Sequence, residues 1–577
     1  MRKNGDEKVS ESKTEIKKDV KNRKVVIKLP NNSTVTVDKG IMLGDLYKLV
    51  NFKSPYPALV GVVNNKLADF NKQIFKDSRV EFLDLTTPDG KLCYQRSLSF
   101  LLVSAVNELF KDARIQIKHS LNKGFYCEIE FNPPRPLTQK DVKLLEGKMR
   151  EWVAKDFPFR RKEMDIVGAI EFFEKQGQID KARLLKYRLL ENDKKVSIYE
   201  CNGFRNHFYG YLVPSTGYLK VFELRFYPPG FLLRFPRGSN PDILPDFIEH
   251  VKLFTIFKEY SDWGKILGVR SVADLNDIIE SNDIDEFILI VESLHEKKLA
   301  EIADKIKSRI VKPKLILISG PSSSGKTTFL KRLTIQLKIN DIHPLSVSLD
   351  NYFVDRVHTP KDELGEYDFE ALEAIDAKLF EQHIFSLLNG EEVNIPKYDF
   401  KTGTRKPGPA IKMGENQVII VEGIHGLNRS LTENIPEAIK YKIYVSALTM
   451  LNLDYHNRIS TTDTRLIRRI VRDNFFRGYS ANDTLSRWQK VGKGEDKYIF
   501  PYQERADVMF NSSLVYELAV LKKYAEPLLE KISSNSNIYS EATRLKKFLS
   551  HFKVINPHIV PKTSILREFI GGSGFNY

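Results

Sequence analysis

At 577 residues, with 42% hydrophobic and 11% aromatic side chains, the chain is too long for one compact core and too apolar for an unfolded one, so roughly three or four folded domains are expected. No apolar run reaches the ~20 residues of a bilayer-crossing helix, which excludes that class of membrane protein. The net charge of +15 raises the question of a nucleic-acid partner, but many lysines fall in the opening segment or on expected helix faces, where a solvated surface explains them.

Cys93, Cys127 and Cys201 lie far apart with no C-x-x-C pattern, which excludes a disulfide framework and points to a reducing compartment, best met by the cytosol. Residues 1–22 mix Lys with Glu and Asp and lack an apolar core. They are expected to be a disordered tail, since a secretory signal needs such a core and a transit peptide is poor in acids.

From Lys24 the pattern becomes strand-like. Val25-Val26-Ile27-Lys28-Leu29, a turn at Pro30-Asn31-Asn32, and Thr34-Val35-Thr36-Val37 predict two short strands, followed by a helix near Leu43–Leu49 and strands near Ala58–Val63 and Arg79–Phe82. Residues 23–86 thus form a small β-grasp-like unit, which resembles the TGS domain of threonyl-tRNA synthetases and certain GTPases. In residues 87–240, the run Arg96-Ser97-Leu98-Ser99-Phe100-Leu101-Leu102, the run Asn122-Lys123-Gly124-Phe125-Tyr126, Pro136-Leu137-Thr138 and an amphipathic helix over Lys140–Lys155 resemble the α+β domain that follows TGS in those synthetases.

The resemblance implies an editing scaffold with two histidines four apart in its first helix and a Cys/His pair further on. Arg96 and Phe100 stand at the histidine positions here, and Cys201 and His207 are spaced more widely than the family's pair. Two ligands without the helical pair make no dependable metal site, so editing is rejected. Cys201 is expected as a small buried residue, and His207 as a packed or surface side chain. RNA or nucleotide binding by the inherited scaffold stays open.

Between Tyr199 and Arg237, rings such as Phe222, Phe226, Phe231 and Phe235 interleave with Arg205, Arg225, Arg234 and Arg237. Such a stretch can stack on bases, but its alternation favours half-buried strands. Candidate helices over Asp246–Ser261 and Ser271–Ser281, followed by Ile284–Arg309 with its mixture of apolar and charged residues, make 241–312 a helical connector, ending near Val311-Lys312-Pro313.

The apolar run Leu315-Ile316-Leu317-Ile318-Ser319 leads into Gly320-Pro321-Ser322-Ser323-Ser324-Gly325-Lys326-Thr327-Thr328. A strand, then G-x-x-x-x-G-K-T, then helix-compatible Phe329–Leu333 predicts a phosphate loop at a helix N-terminus. The loop amides and helix dipole suit the phosphates of ATP (or GTP); Lys326 reaches the β and γ phosphates, and Thr327 offers its hydroxyl to Mg²⁺.

Two further strands, Pro344–Leu349 and Gln417–Val421, end at Asp350 and Glu422, as expected where a doubly wound parallel sheet gathers ligands at its carboxyl edge. Asp350 is placed to accept a proton from a substrate hydroxyl or to hold Mg²⁺ through water, and Glu422 to bind the metal. Arg465, Arg468, Arg469 and Arg472 repeat at helical spacing, as a lid clamping a transferring phosphoryl group requires, with Arg477 and Gly478 where it turns.

Over about Leu315–Glu530, Ser348–Phe353, Tyr367-Asp368-Phe369, Pro396–Arg405, Glu422-Gly423-Ile424 and Asp463–Asp473 resemble, in order, the uridine kinase and phosphoribulokinase family. The resemblance implies Asp350 as base for the ribose 5′-hydroxyl, Asp368 as ligand of the ribose hydroxyls, Tyr398 and Phe400 as walls of the nucleoside pocket, and Arg405 nearby. One position departs: uridine kinases place a base-reading histidine three residues after the pocket phenylalanine, and Gly403 stands there.

The expected fold is multidomain α+β and α/β: a TGS-like β-grasp, a synthetase-like α+β region, and a P-loop kinase domain over 313–535. Residues 536–577 are expected as a helix near Ser540–Phe552 and a mobile tail without assigned function. The expected activity is Mg²⁺- and ATP-dependent phosphorylation of a nucleoside, uridine or cytidine, in pyrimidine salvage. The alternatives are a kinase for another small alcohol and an RNA- or ribosome-associated protein that senses nucleotide. A translational GTPase is disfavoured, because no N-K-x-D follows the loop. Homo-oligomerisation is left open, and no membrane partner is expected.

Overall fold

The computed structural model describes residues 24–190, 194–281, 283–363 and 365–576; the expected tail over 1–22 lies outside them. The chain divides into two compact units. The first runs up to Ile248 and includes Tyr455–Asn457 and Ser533–Arg544; the second takes Glu249–Asp454, Arg458–Ile532 and the chain from Leu545. No helix among the described residues is long and apolar enough to cross a membrane.

In the first unit, Lys24–Lys28 alternates exposed and buried side chains and sends Val25 and Ile27 into a core. It pairs antiparallel with Thr34–Asp38 and parallel with Ser78–Leu83, and the sheet continues through Val60–Val63 to Lys66–Ala68. The helix Leu43–Leu49 adds Leu43 and Leu46 to the same core. This is the β-grasp arrangement that the strand pattern predicts.

A second core follows under a four-stranded antiparallel sheet of Glu223–Tyr227, Gly230–Arg234, Gly124–Glu130 and Arg114–Leu121. Its helices are Pro88–Leu109, capped by Thr87, and Gln139–Lys155, where Thr138 and Asp141 form a capping box. Two sheet strands come from the aromatic and basic stretch, and Leu224, Phe231, Leu233 and Phe235 face the core. Phe100, at an expected histidine position, is buried among Phe159, Phe204 and Phe208 with ring centroids 5.4 to 5.5 Å away. Arg96 donates to the Tyr211 carbonyl at 2.7 Å. Cys201 and His207 are buried, and His207 Nδ1 lies 2.6 Å from the Ser197 carbonyl.

In the second unit the connector helices are Val251–Ile266, Val272–Glu280 and Ile284–Ser308. The first starts later than the sequence suggests, at Val251 rather than Asp246, because Arg234 holds the Pro245 carbonyl and the chain leaves the sheet extended. All three cluster with the parallel sheet that follows them in the chain, so 249–312 is not a free-standing connector.

That sheet is fully parallel. We label its strands β1 (Leu315–Ser319), β2 (His343–Ser348), β3 (Gln417–Glu422), β4 (Lys440–Ser446) and β5 (Val508–Asn511), and they lie in the order β2-β3-β1-β4-β5. Helices that matter here are α1 (Lys326–Ile339), α2 (Thr461–Arg472), α3 (Ala481–Tyr498) and α4 (Glu517–Glu530). β1 and β4 are buried along their whole length, as parallel strands covered on both faces must be. After the helix Tyr539–Leu549, the stretch expected to be mobile is instead packed: Ile565, Leu566 and Phe569 are buried around the short helix Arg567–Ile570.

Candidate active site

The register of the parallel sheet assembles the site. Glu422 at the end of β3 pairs with Ile318 of β1 on one side and with Ser348 of β2 on the other. The residues that follow β1 and β2, the phosphate loop and Asp350, therefore emerge at the same edge as Glu422, at the carboxyl ends of the strands.

The loop itself needs its glycines. A Cβ on Gly320 would collide with the Val445 carbonyl of β4, and Gly325 enters α1 at φ 81°, in the left-handed region. Ser323 also adopts a left-handed φ of 58°. The first amides of α1 have no intrahelical acceptor and point into the cradle with the positive end of the helix dipole. Pro321 accepts from the Ser324 amide at 3.2 Å, and Lys326 Nζ folds back onto the Gly320 and Pro321 carbonyls at 2.9 and 3.2 Å.

The arginines of α2 divide into two groups. Arg465 and Arg468 are buried and do not form an exposed lid. Arg465 pairs with Glu495 of α3 and donates to the Ser322 carbonyl at 3.1 Å; Arg468 pairs with Glu517 of α4 and donates to the Ser512 carbonyl at 2.8 Å. Arg468 also donates to the Ser323 carbonyl at 3.4 Å, so both arginines hold the backbone of the phosphate loop. Helical spacing could not show this, because it depends on acids supplied by α3 and α4.

Arg469 is partly exposed and donates to Ser322 Oγ at 2.9 Å and to Asp473 at 3.2 Å. Arg472 and Arg477 share the same Asp473. Both lower the proton affinity of Asp350, so positive charge facing the reacting edge comes from the last turn of α2 and the π-helical turn after it.

Asp350 sits in a short 3-10 turn, Leu349–Tyr352. Burial pushes its carboxyl upward, and Lys326, Arg477 and Arg472 oppose that shift. Burial likewise pushes Glu422 up to about 7; Lys326 and a hydrogen bond from Thr327 pull it back, while Asp350 and Glu568 push further. Glu422 Oε2 is buried without a hydrogen-bond partner among the described residues. A carboxylate oxygen with vacant lone pairs beside the Thr327 hydroxyl fits a divalent cation or its water, so Thr327 and Glu422 could hold Mg²⁺.

On the acceptor side, the structure brings Tyr398 and Phe400 together with Phe353. Their ring centroids are 5.0 to 5.8 Å apart, and the buried Tyr398 hydroxyl has no partner among the described residues. Arg405 is held by Asp376 at 3.0 Å. Asp368 turns a carboxylate oxygen onto the Glu370 amide at 3.1 Å, which closes its own turn.

The neighbouring Glu370, not singled out from the sequence, is the acid whose carboxyl is shifted. Burial pushes it up to about 7, with Glu495 adding to the shift and Arg469 and Lys326 opposing it. Its Oε2 has no partner among the described residues. The only signal in the sequence was its place directly after Tyr367-Asp368-Phe369.

Gly403 has a φ of 73°, and a Cβ there would meet Arg356 Nε at 2.6 Å. The Arg356 amide donates to the Gly403 carbonyl at 2.8 Å, and its Nη2 donates to the Phe400 carbonyl at 2.8 Å. A guanidinium thus fills the space that a side chain at 403 would need.

Comparison with known proteins adds two findings. Residues 315–518 match the Phosphoribulokinase / Uridine kinase family. The N-terminal part is similar to threonine–tRNA ligases. The one from Polynucleobacter necessarius is 34% identical over 200 residues, which is 35% of this chain and 31% of that protein. The one from Alkalilimnicola ehrlichii is 32% identical over 199 residues, or 34% and 30%. The chain thus spans about a third of the length of these relatives. A solved structure described as a possible uridine kinase from Bacillus stearothermophilus overlaps 37% of this chain and 98% of its own, at 17% identity and a TM-score of 0.27, too loose to bear on function. The C-terminal region of this chain is thus of the phosphoribulokinase / uridine kinase family, and it follows a part similar to threonine–tRNA ligases.

Proposed function

We propose that the C-terminal region transfers a phosphoryl group from ATP, with Mg²⁺, to the hydroxyl of a small alcohol, and that the alcohol is a nucleoside such as uridine or cytidine. The observation that carries this is the convergence of Asp350, Glu422 and Lys326 at one edge of the sheet beside the phosphate loop. Bound there, ATP supplies the phosphoryl group and Mg²⁺ offsets its charge.

The chain's own residues then align and neutralise. The α1 amides and Lys326 orient the phosphates, while Arg469, Arg472 and Arg477 offset the charge that spreads over the transferring oxygens. Asp350 accepts the hydroxyl proton; burial raises its proton affinity, as suits a base, and the cations of Lys326, Arg477 and Arg472 oppose that rise by favouring the carboxylate. Tyr398, Phe400 and Phe353 supply a ring-lined pocket for a planar base. Glu370 offers an acceptor for the sugar hydroxyls, a role the family resemblance gives to Asp368.

Arg356 in the space at Gly403 favours a substrate with acceptor atoms on its edge, such as pyrimidine carbonyls, and it suits an anionic alcohol too. Similarity of the first unit to tRNA ligases favours RNA contact as a second property of the chain, compatible with catalysis.

The test is ADP release from the full chain with ATP and Mg²⁺ across uridine, cytidine, adenosine, guanosine and ribulose 5-phosphate. Stimulation by a pyrimidine nucleoside is expected, and Asp350→Asn should lower turnover about 10²- to 10⁴-fold while ATP still binds. Near-normal turnover in that variant would remove Asp350 from its role. Silence across the panel with ATP bound would favour a nucleotide-sensing protein.

A further inference from the structure

The segment 563–574 is seated on the phosphate loop. Glu568 accepts from the Thr328 amide at 3.1 Å and from Thr328 Oγ1 at 2.8 Å, at the open N-terminal end of α1. Thr328 follows G-K-T directly, so its amide is one of the donors that a phosphate loop turns toward its ligand. A carboxylate on that amide uses the same helix-terminal potential that an anionic phosphate would use.

The seat is built and not incidental. Ile565 lies against Gly325, so that a Cβ on that glycine would meet Ile565 Cγ2 at 2.6 Å. Phe569 is buried with its ring centroid 5.0 Å from the Arg468 guanidinium, the group that holds the Ser323 carbonyl of the loop. Arg567 ties the segment to the preceding chain at the Pro557 carbonyl, 3.0 Å away, and to its own end at the Gly571 carbonyl, 3.3 Å away. Gly571 approaches the exposed Phe476 of the turn after α2; a Cβ there would lie 3.4 Å from that ring. Glu568 also adds negative potential to Glu422, the residue suited to the metal. Charge of one sign from the segment thus falls on both the phosphate donors and the metal side of the site.

We propose that residues 563–574 form a built-in occupant of the phosphate cradle: Glu568 takes the Thr328 amide and hydroxyl that a nucleotide phosphate needs, so segment and nucleotide compete. The proposal rests on the nucleotide-site reading above. Nucleotide binding displaces Glu568, and the contacts of Arg567 and Phe569 set how readily the segment yields. The chain thereby holds a lower apparent nucleotide affinity than the bare loop, by the fraction of molecules in which the segment is seated.

The experiment is calorimetric titration of the full chain and of Glu568→Gln with MgATP and with inorganic tripolyphosphate, the latter having no base or sugar to bind elsewhere. Glu568→Gln keeps the shape and removes the charge, and it is expected to tighten both ligands about threefold to tenfold. Equal or weaker binding in the variant overturns the competition and makes Glu568 a support of the loop. Absence of binding to both proteins removes the nucleotide-site reading and this proposal with it.

Hydrogen exchange on the unaltered chain gives an independent arm. Amides of 565–572 are expected to exchange faster when MgATP is added. Unchanged or slower exchange there shows a segment that stays seated beside the nucleotide, which overturns the proposal even if the variant fails to fold.

Discussion

Arg465 and Glu495 form a buried pair, Nη1 to Oε1 at 2.5 Å and Nη2 to Oε2 at 2.8 Å, that grips Ser322 of the phosphate loop at both of its backbone groups. Arg465 donates to the Ser322 carbonyl at 3.1 Å, and Glu495 accepts from the Ser322 amide at 2.9 Å. The loop's path is therefore set by a charge pair contributed from two helices, α2 and α3.

Removing one member leaves the other charged and buried, so Glu495→Gln should destabilise the second unit by about 3–5 kcal/mol in denaturant unfolding. Replacing both by apolar residues of similar volume, Arg465→Met with Glu495→Leu, should recover much of that stability but not nucleotide affinity, because Ser322 loses its grip. A double variant that recovers stability and binds MgATP as tightly as the unaltered chain would show that the pair does not position the loop.

Glu370 gives a pH signature. Its folded-state carboxyl is pushed up to about 7 from the ordinary glutamate value of 4.5, chiefly by burial. The folded state therefore keeps a proton that the unfolded state loses, and the stability this contributes is full below the unfolded value and is lost as pH rises through the folded one. Glu370→Gln should gain stability relative to the unaltered chain on going from about pH 5 to about pH 8, read as the difference in unfolding midpoints. An unchanged difference across that range would place Glu370 in a more polar setting than its burial implies.

Arg356 can be separated from the chemistry. If its guanidinium reads the acceptor edge of the substrate, Arg356→Ala should raise KM about tenfold or more with kcat little changed. Arg356→Lys should recover little of this, since a point charge does not reproduce a planar fork. A fall in kcat at unchanged KM would instead place Arg356 at the transferring phosphoryl group.

Much of the fold was legible. Val25, Ile27 and the capped helix Gln139–Lys155 carry period-2 and period-3.6 patterns that local chemistry alone explains. The phosphate loop was legible for the same reason, as a contiguous run whose glycines, lysine and threonine act within one turn. The tail was misread because Gly571 to Gly574 look like a flexible end, while the burial of Ile565, Leu566 and Phe569 depends on a surface built by residues far away in the chain.

By itself the sequence determined the order of the units, the strand and helix that flank the phosphate loop, and two acids of the carboxyl edge, Glu422 at the end of β3 and Asp350 in the turn just after β2. Each of these rests on interactions within a few residues. Only the tertiary structure decided that Arg465 and Arg468 face inward to Glu495 and Glu517, that Glu370 carries a buried carboxylate oxygen, that Arg356 fills the space beside Gly403, and that Glu568 sits on Thr328. The direction a charged side chain takes is set by the partner and the burial it meets across the fold, and helical spacing or a glycine-rich run carries no record of either.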